Sequence, residues 1–263
     1  MSITPTQKGH LTPGPRTTVT RIPPPQELAH LVRQFWIPRW ELEAGEAVEQ
    51  LVLGYPASNI VVEPEGIGLY GPTTRASIKV LQDSGWAVGA LLRPAGVLLF
   101  TDQPAALLDG QKTVDNQELH ERVGAAMNSG QVERASEVLG EHIRSVAGGM
   151  ASRSLRDGMT ANQLVDLLDE DPEVRSVADL GSRLHLSQRS VQRLAARYVG
   201  MSPVLLLRRR RLQDAAERIR ARPELDLRDL AMELGFADQA HLTREFRTVL
   251  GFTPRNYPGN RAD

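Results

Sequence analysis

Ser176-Val-Ala-Asp-Leu-Gly-Ser-Arg-Leu-His-Leu-Ser-Gln-Arg-Ser-Val-Gln-Arg-Leu-Ala195 and Asp226-Leu-Arg-Asp-Leu-Ala-Met-Glu-Leu-Gly-Phe-Ala-Asp-Gln-Ala-His-Leu-Thr-Arg-Glu-Phe246 are two versions of one pattern, 50 residues apart. The first closes on Gly200-Met-Ser-Pro203 and the second on Gly251-Phe-Thr-Pro254. An internal repeat outranks any single motif as evidence of architecture. Each copy has the chemistry of helix, tight turn, helix. Ser176 with Asp179, and Asp226 with Asp229, place an N-cap oxygen and an acid three positions later, which satisfies the free amides of a first turn. Val177, Leu180 and Leu184, then Leu227, Leu230 and Leu234, form one apolar face on each first helix. Gly235 suits the left-handed residue that ends a helix. Ser187 and Asp238 cap the second helices, whose buried stripes are Val191, Leu194, Ala195 and Tyr198, and Leu242, Phe246, Val249 and Leu250.

The opposite faces carry the function. After Ser187 the outward residues are Arg189, Gln192, Arg193 and Ala196, spaced i, i+3, i+4, i+7. The second copy offers Gln239, Ala240, Thr243, Arg244 and Arg247, with His241 at the rim. Arg and Gln make paired hydrogen bonds to guanine and adenine edges in the major groove. A solvated amphipathic helix also shows Arg and Gln outside, so one helix alone decides nothing. The same arrangement twice, each time behind a capped turn, argues for DNA. The intervening stretch, about Pro203 to Arg220, predicts a connecting helix of ~17 residues and ~26 Å. Adjacent major grooves on one DNA face lie ~34 to 36 Å apart, so one chain can reach two of them. Arg208 to Arg211 point around that helix in 100° steps. One or two are expected at phosphate, and the rest in solvent or paired with Asp214 and Glu217.

The pattern Leu186-Ser187-x-Arg189-x-Val191-x-Arg193, Gly200-x-Ser202-Pro203, a long helix, Gly235-Phe236-x-Asp238-Gln-Ala-His-Leu-Thr-Arg-Glu-Phe246 and Gly251-x-Thr253-Pro254 resembles the DNA-binding domain of AraC/XylS-type transcriptional regulators over about Thr160 to Pro258. The resemblance implies a seven-helix domain with two helix-turn-helix units joined by a rigid helix. It implies base readout by Arg189, Gln192, Arg193, Gln239, Ala240, His241 and Arg244, and backbone contacts by Ser187, Arg197, Thr243 and Arg247. Two residues depart from the family: Ala195 stands where a large aromatic is usual, and Ala240 has no hydrogen-bonding side chain. The family also implies RNA polymerase as a partner, and an N-terminal domain that is often a cupin-like barrel for a small effector beside a helix pair that dimerises.

The N-terminal half is read independently of that likeness. Thr17 to Ile22, Gln50 to Leu53, Asn59 to Val62, Ile67 to Tyr70, Ser77 to Leu81 and Trp86 to Leu92 are short β-rich runs cut by Gly and Pro, which predicts a barrel or sandwich. One helix is expected at about Glu27 to Gln34. Helical spacing returns over Asp115 to Met127 and Gln131 to Val146, a candidate dimer seam that can equally pack within the chain. The fold class is therefore α+β in two domains: a β-rich N-terminal domain with a helix pair, a cupin-like barrel being one form of it, and an all-α C-terminal domain. Residues 1–16 read as a disordered tail, 17–146 as the sensing or oligomerisation domain, 147–158 as a linker, 159–258 as the DNA reader and 259–263 as a tail. Trp36, Trp40, Tyr55 and Trp86 are the candidate effector-pocket residues and can equally fill a core. Gly66-x-Gly68-x-x-Gly71 matches a dinucleotide fingerprint, but a strand-like run follows where a helix must open, so these are turn glycines.

Composition sets outer limits. The 263 residues carry 31 Lys and Arg against 32 Asp and Glu, a net charge of -1. That sum hides an asymmetry: residues 1–150 hold 12 basic and 16 acidic residues, whereas from Val174 onward there are 17 Arg against 10 acids. A surplus of positive charge confined to one domain is what a polyanion binder shows. No cysteine is present, which excludes disulfides, thiolate metal sites and cysteine nucleophiles. Six scattered histidines give no metal motif. No catalytic residue, cofactor or metal is expected. Ala87 to Leu92, the longest clean apolar run, is far short of the ~20 residues of a membrane span. The expected protein is a cytoplasmic, sequence-specific DNA-binding regulator whose partners are double-stranded DNA, a small-molecule effector and a second copy of itself. The alternatives are a non-specific architectural DNA binder and an enzyme domain with a DNA-binding appendage.

Overall fold

The computed structural model describes residues 16–52, 56–149 and 151–257. Residues 1–15 of the tail expected at 1–16, and the tail expected at 259–263, lie outside these residues. Arg16, counted with the first tail, pairs with Glu43 and Glu46.

Among the described residues nine strands come first: β1 (Thr17–Ile22), β2 (Val32–Glu41), β3 (Ala47–Val52), β4 (Asn59–Glu63), β5 (Gly66–Tyr70), β6 (Ser77–Gln82), β7 (Ser84–Trp86), β8 (Val88–Leu92) and β9 (Gln111–Thr113). The larger sheet runs β1-β2-β8-β4-β5-β9 with β7 also on β2, antiparallel throughout; among the described residues β3 and β6 pair only with each other. The described strands thus form two sheets rather than one closed barrel. The helix expected at 27–34 is instead a 3-10 turn, Gln26–Leu28, followed by β2. The reason is burial on both sides. Phe35 and Ile37 enter the core on one face while Trp36, Pro38 and Trp40 occupy the other, so the polar alternation that marks a strand is absent.

The two faces of the larger sheet do different work. One carries Phe35, Ile60, Val62, Leu69, Val88 and Ala90 against α2 (Gln117–Asn128) and α3 (Val132–Ala147). These helices bring Leu119, Val123, Leu139 and Ile143 to that core, so the stripes read as a dimer seam are covered within the chain. Their outer surface holds the Arg122–Glu141–Arg134 ion cluster. The second face is roofed by the β3–β6 sheet, and a cavity lies between them.

The reader follows as α4 (Ser152–Glu170), α5 (Val177–Leu184), α6 (Gln188–Tyr198), α7 (Pro203–Ala221), α8 (Leu227–Glu233) and α9 (Gln239–Leu250), closed by a 3-10 turn at Pro254–Asn256. The described residues therefore hold six α-helices of this domain. It has two cores. Leu164, Leu168, Leu180, Val191, Ala195 and Leu206 form the first, and Leu212, Ala216, Leu230, Leu242, Phe246 and Tyr257 the second. Helix α7 contributes to both, Leu206 and Leu207 at its start and Leu212 to Ile219 further along, which makes it the shared beam.

Helix α4 starts inside the stretch read as a linker, 147–158. Gly158 is buried there, and a Cβ on it would stand 2.8 Å from the Cα of Ala95. Ala95 belongs to the short helix α1 (Pro94–Val97), which packs on α4. Its backbone N–H donates to Asn162 Oδ1 at 3.0 Å, and Asn162 Nδ2 donates to the His30 carbonyl at 2.8 Å. Arg93 pairs with Asp166, and Arg33 with Asp169 at 2.8 Å. The Arg93-Pro94-Ala95-Gly96 run is thus the joint between the domains. Gly200 closes a second contact. It sits at φ +79°, and a Cβ there would approach the Pro104 carbonyl oxygen to 2.6 Å. Gly200→Ala is expected to destabilise the protein by more than about 1–2 kcal/mol, the cost of a left-handed alanine, because the backbone clash adds to it. Urea unfolding of the variant checks this; an unchanged midpoint contradicts the contact.

Candidate DNA interface and the sheet cavity

Each helix-turn-helix unit is built locally. Ser176 accepts from the Asp179 N–H at 3.1 Å while Asp179 accepts from the Ser176 N–H at 2.8 Å, a complete capping box. The Arg175 N–H, which donates to the same carboxylate at 3.0 Å, and then the Ser176 hydrogen bonds hold the Asp179 carboxyl below its ordinary range. The turn places His185 at φ 54°, where the second copy has Gly235 at φ 73°. Gly181 lets the chain fold back closely: a Cβ there would lie 2.7 Å from the Leu186 carbonyl oxygen. Ser187 caps α6 through the Ser190 N–H at 3.2 Å, and Asp238 caps α9 through the His241 N–H at 2.5 Å.

With Val191, Ala195 and Tyr198 buried, α6 turns Arg189, Gln192 and Arg193 fully outward, and Arg197 beside them lies over the Tyr198 ring at 5.8 Å. Ser187, exposed at the start of the same helix, already uses its oxygen as a cap acceptor. On α9, Leu242, Phe246, Val249 and Leu250 are buried, Ala240, Arg244 and Arg247 are exposed, and Gln239 and Thr243 are half-buried. His241 has a structural duty that its spacing does not reveal. Its Nδ1 accepts from the Ala237 N–H at 3.2 Å and its ring meets Phe236 edge-on at 5.5 Å, which places the proton of the neutral ring on Nε2.

The four consecutive arginines of α7 are held within the protein. Arg208 pairs with Glu245 of α9, and Arg209, 1% exposed, donates to the Thr73 carbonyl. Arg210 donates to the carbonyls of Asp171 and Val174 at 2.8 and 3.2 Å, and Arg211 donates to the Gly235 carbonyl at 3.1 Å over the Phe236 ring. The phosphate contacts expected of this run are therefore not what the fold makes of it. Burial pushes the Arg209 guanidinium down to about 10, with Asp109 as the opposing charge.

The cavity of the N-terminal domain measures about 270 Å³. Of the candidate pocket residues, Trp36 and Trp40 line it, Trp86 packs against the sheet core instead, and Tyr55 lies outside the described residues. Glycines make room for the rings. A Cβ on Gly89 would stand 2.2 Å from the Trp36 ring, and one on Gly85 2.2 Å from the Trp40 ring, so both indoles lie over neighbouring strands. Their N–H groups are engaged, Trp36 with Asn59 Oδ1 at 3.0 Å and Trp40 with the Gln82 carbonyl at 3.1 Å. Sequence reasoning missed the polar part of the lining: Arg21, Gln34, Gln50, Asn59, Glu63, Tyr70 and Lys79. Glu63 pairs with Lys79 and accepts from Tyr70 Oη at 2.8 Å; burial first, then Glu63, raises the Tyr70 pKa. Their signal was a polar residue at alternate strand positions, facing the side taken for core. Gly66 and Gly68, the start of the apparent dinucleotide fingerprint, lie in the β4–β5 hairpin, and strand β6 follows rather than a helix.

Among the described residues no helix is long and apolar enough to cross a membrane. Residues 180–259 match a family model described as a helix-turn-helix domain, and residues 20–114 match one described as a domain of unknown function (DUF6597). No protein of curated function matches. Solved structures similar to this chain include ToxT from Vibrio cholerae O395, with 11% identity over 92% of this chain and 96% of that one and a TM-score of 0.42. Another is unsaturated fatty acid bound wild-type ToxT from Vibrio cholerae strain SCE256, with 11% identity, coverage of 94% and 96% and a TM-score of 0.38. The AraC-like transcriptional activator CuxR matches with 12% identity, coverage of 76% and 94% and a TM-score of 0.25.

Proposed function

Residues 180–259 of this chain are an AraC-type helix-turn-helix domain, and from that premise we propose that the protein is a sequence-specific DNA-binding transcriptional regulator whose N-terminal domain takes a small-molecule effector. The observation that carries the reading is the pair of exposed faces on α6 and α9, each the second helix of a capped unit, each opposite a buried stripe. Arg189, Gln192 and Arg193 on one, and Gln239, Ala240, His241 and Arg244 on the other, are the proposed base readers. Ser187, Arg197, Thr243 and Arg247 are the proposed backbone contacts. The effector part rests on the cavity: it lies between two sheets, and the surface it offers is mainly apolar with polar groups set among it, as in small-molecule sites. No reaction is proposed for it. A cytoplasmic location, a homodimer and contact with RNA polymerase belong to the same proposal, and the oligomeric state is read directly by analytical ultracentrifugation.

Selection from random duplexes followed by footprinting tests the DNA reading. A defined site spanning two successive major grooves supports it, and uniform coverage of unrelated DNA would establish an architectural binder instead. Within the selected site, Arg193→Ala is expected to weaken binding by roughly 5–150-fold, the ~1–3 kcal/mol of one base contact, and to relax preference at one position only. A uniform loss across all sequences would reassign Arg193 to the phosphate backbone.

A further inference from the structure

One continuous segment, residues 71–82, touches both the cavity and the DNA reader. Its second half is β6, whose inward side chains Ser77, Lys79 and Leu81 form a wall of the cavity, while Ile78 and Val80 on the outer side are 60% and 52% exposed. Strand β6 pairs only with β3 among the described strands, and a two-stranded sheet without a layer over its outer face is the kind of element that shifts at low cost.

The first half, 71–76, is a strap from that wall to the reader. Its start is tied by the Gly71 N–H to the Gly110 carbonyl at 3.0 Å, and its middle is pinned by Asp109, which accepts from the Thr74 N–H at 2.5 Å and from Thr74 Oγ1 at 2.6 Å and donates its own N–H to the Pro72 carbonyl at 3.0 Å. Beyond the pin it reaches two helices. The Thr73 carbonyl accepts from Arg209 in α7, and the Ala76 N–H donates to the Val249 carbonyl in α9 at 2.6 Å, with the Ala76 methyl against the second core. Thr73 faces both ways. It lines the cavity, and its buried hydroxyl has no hydrogen-bond partner among the described residues, so a ligand group there would meet the residue that holds Arg209.

The two units are held differently. The first is fastened by the broad α1–α4 joint with Arg93, Arg33 and Asn162, and its core includes Ala57 and Leu91 of the cavity floor. Among the described residues the second is held by the strap, at Ala76 on α9 and at Thr73 on Arg209 of α7. We propose, resting on the effector reading above, that residues 71–82 are a strap through which occupancy of the cavity releases α7 and α9 from the N-terminal domain. The first unit then stays on the sheet while the second changes its position relative to it, which alters the separation of α6 and α9 that two successive grooves require. The ligand is a flat apolar molecule that lies against Trp36 and Trp40 and carries one hydrogen-bonding group for Thr73.

Linkage supplies the test, because coupling between two binding sites is reciprocal. The full chain is titrated with the selected duplex and with 8-anilinonaphthalene-1-sulfonate, a flat aromatic probe read by energy transfer from the three tryptophans, all in the N-terminal domain. Duplex is expected to shift the probe Kd at least ~5-fold, and probe to shift the duplex Kd by the same factor. In Asp109→Gly, which removes the side-chain pin and the charge facing Arg209 but keeps the left-handed backbone, that factor falls to within about twofold of unity while both still bind, with thermal unfolding as the check on its fold. Arg209→Met gives the same result from the reader side, with thermal unfolding as the check on its fold. Independent binding in the native chain, or a coupling that survives Asp109→Gly, overturns the strap. A native chain that binds duplex but not the probe overturns the effector reading beneath it, and leaves the DNA reading standing.

Discussion

Phe246→Ala is expected to cost about 3–5 kcal/mol of stability and to abolish sequence-specific DNA binding. The ring is fully buried at the centre of the second core and meets Tyr257 edge-on at 5.4 Å and 89°. Truncation removes that contact and leaves a cavity among Leu212, Leu230, Leu242 and Leu250, which α7, α8 and α9 cannot close without moving together. Because Phe246 lies on α9, the cavity opens directly behind the face that carries Arg244 and Arg247. The two cores are separate clusters, so unfolding is expected to become biphasic, the second unit melting first while the first unit and the N-terminal domain keep their transition. Calorimetry and duplex binding measure the two parts of this expectation. A loss below about 1 kcal/mol would mean that the second unit is not anchored by this ring.

DNA affinity is expected to fall roughly 12-fold between 50 and 200 mM salt, the change for two neutralised phosphates at a slope of about −0.9 per phosphate. The two are Arg197 and Arg247, the proposed backbone contacts, both exposed on or beside the recognition faces and without a carboxylate partner among the described residues; Arg189, Arg193 and Arg244, the proposed base readers, add no phosphate to the count. The run Arg208 to Arg211 does not enter the count, since those guanidinium groups are committed to Glu245, Thr73, Asp171, Val174, Asp214 and Gly235. Counting every arginine after Val174 would predict a much steeper dependence, so the slope measures how many remain available. A change of less than about fivefold would mean that binding does not run through these side chains.

How much of this was legible in the chain depended on distance along it. Caps, turns and helix faces in the repeat are interactions over three to seven residues, and Ser176 with Asp179, Ser187, Asp238 and the two buried stripes all stand where their spacing placed them. The strand β2 was misread because Phe35, Trp36, Ile37 and Pro38 are covered on both faces of the sheet, so no polar alternation marks that stretch as a strand. The glycine and serine content of 147–158 suggested a linker, whereas Gly158 is small because α4 presses on Ala95. His241 and Arg209 each carry a role that depends on a neighbour, and no pattern local to α9 or α7 names that neighbour.

The sequence by itself determined that the C-terminal half holds two capped helix-turn-helix units on a shared helix, each turning Arg and Gln outward, because those features are set by hydrogen bonds and side-chain periodicity within single turns. Only the tertiary structure decided that the N-terminal domain grips that reader, that its cavity lies between two unequal sheets, and that one strap joins the two. Thr73 and Arg209 are 136 residues apart. Whether such residues meet is settled by how whole layers pack, since burying an arginine requires a carbonyl waiting at that place, and the position of a carbonyl is a property of the folded chain rather than of the residues beside it.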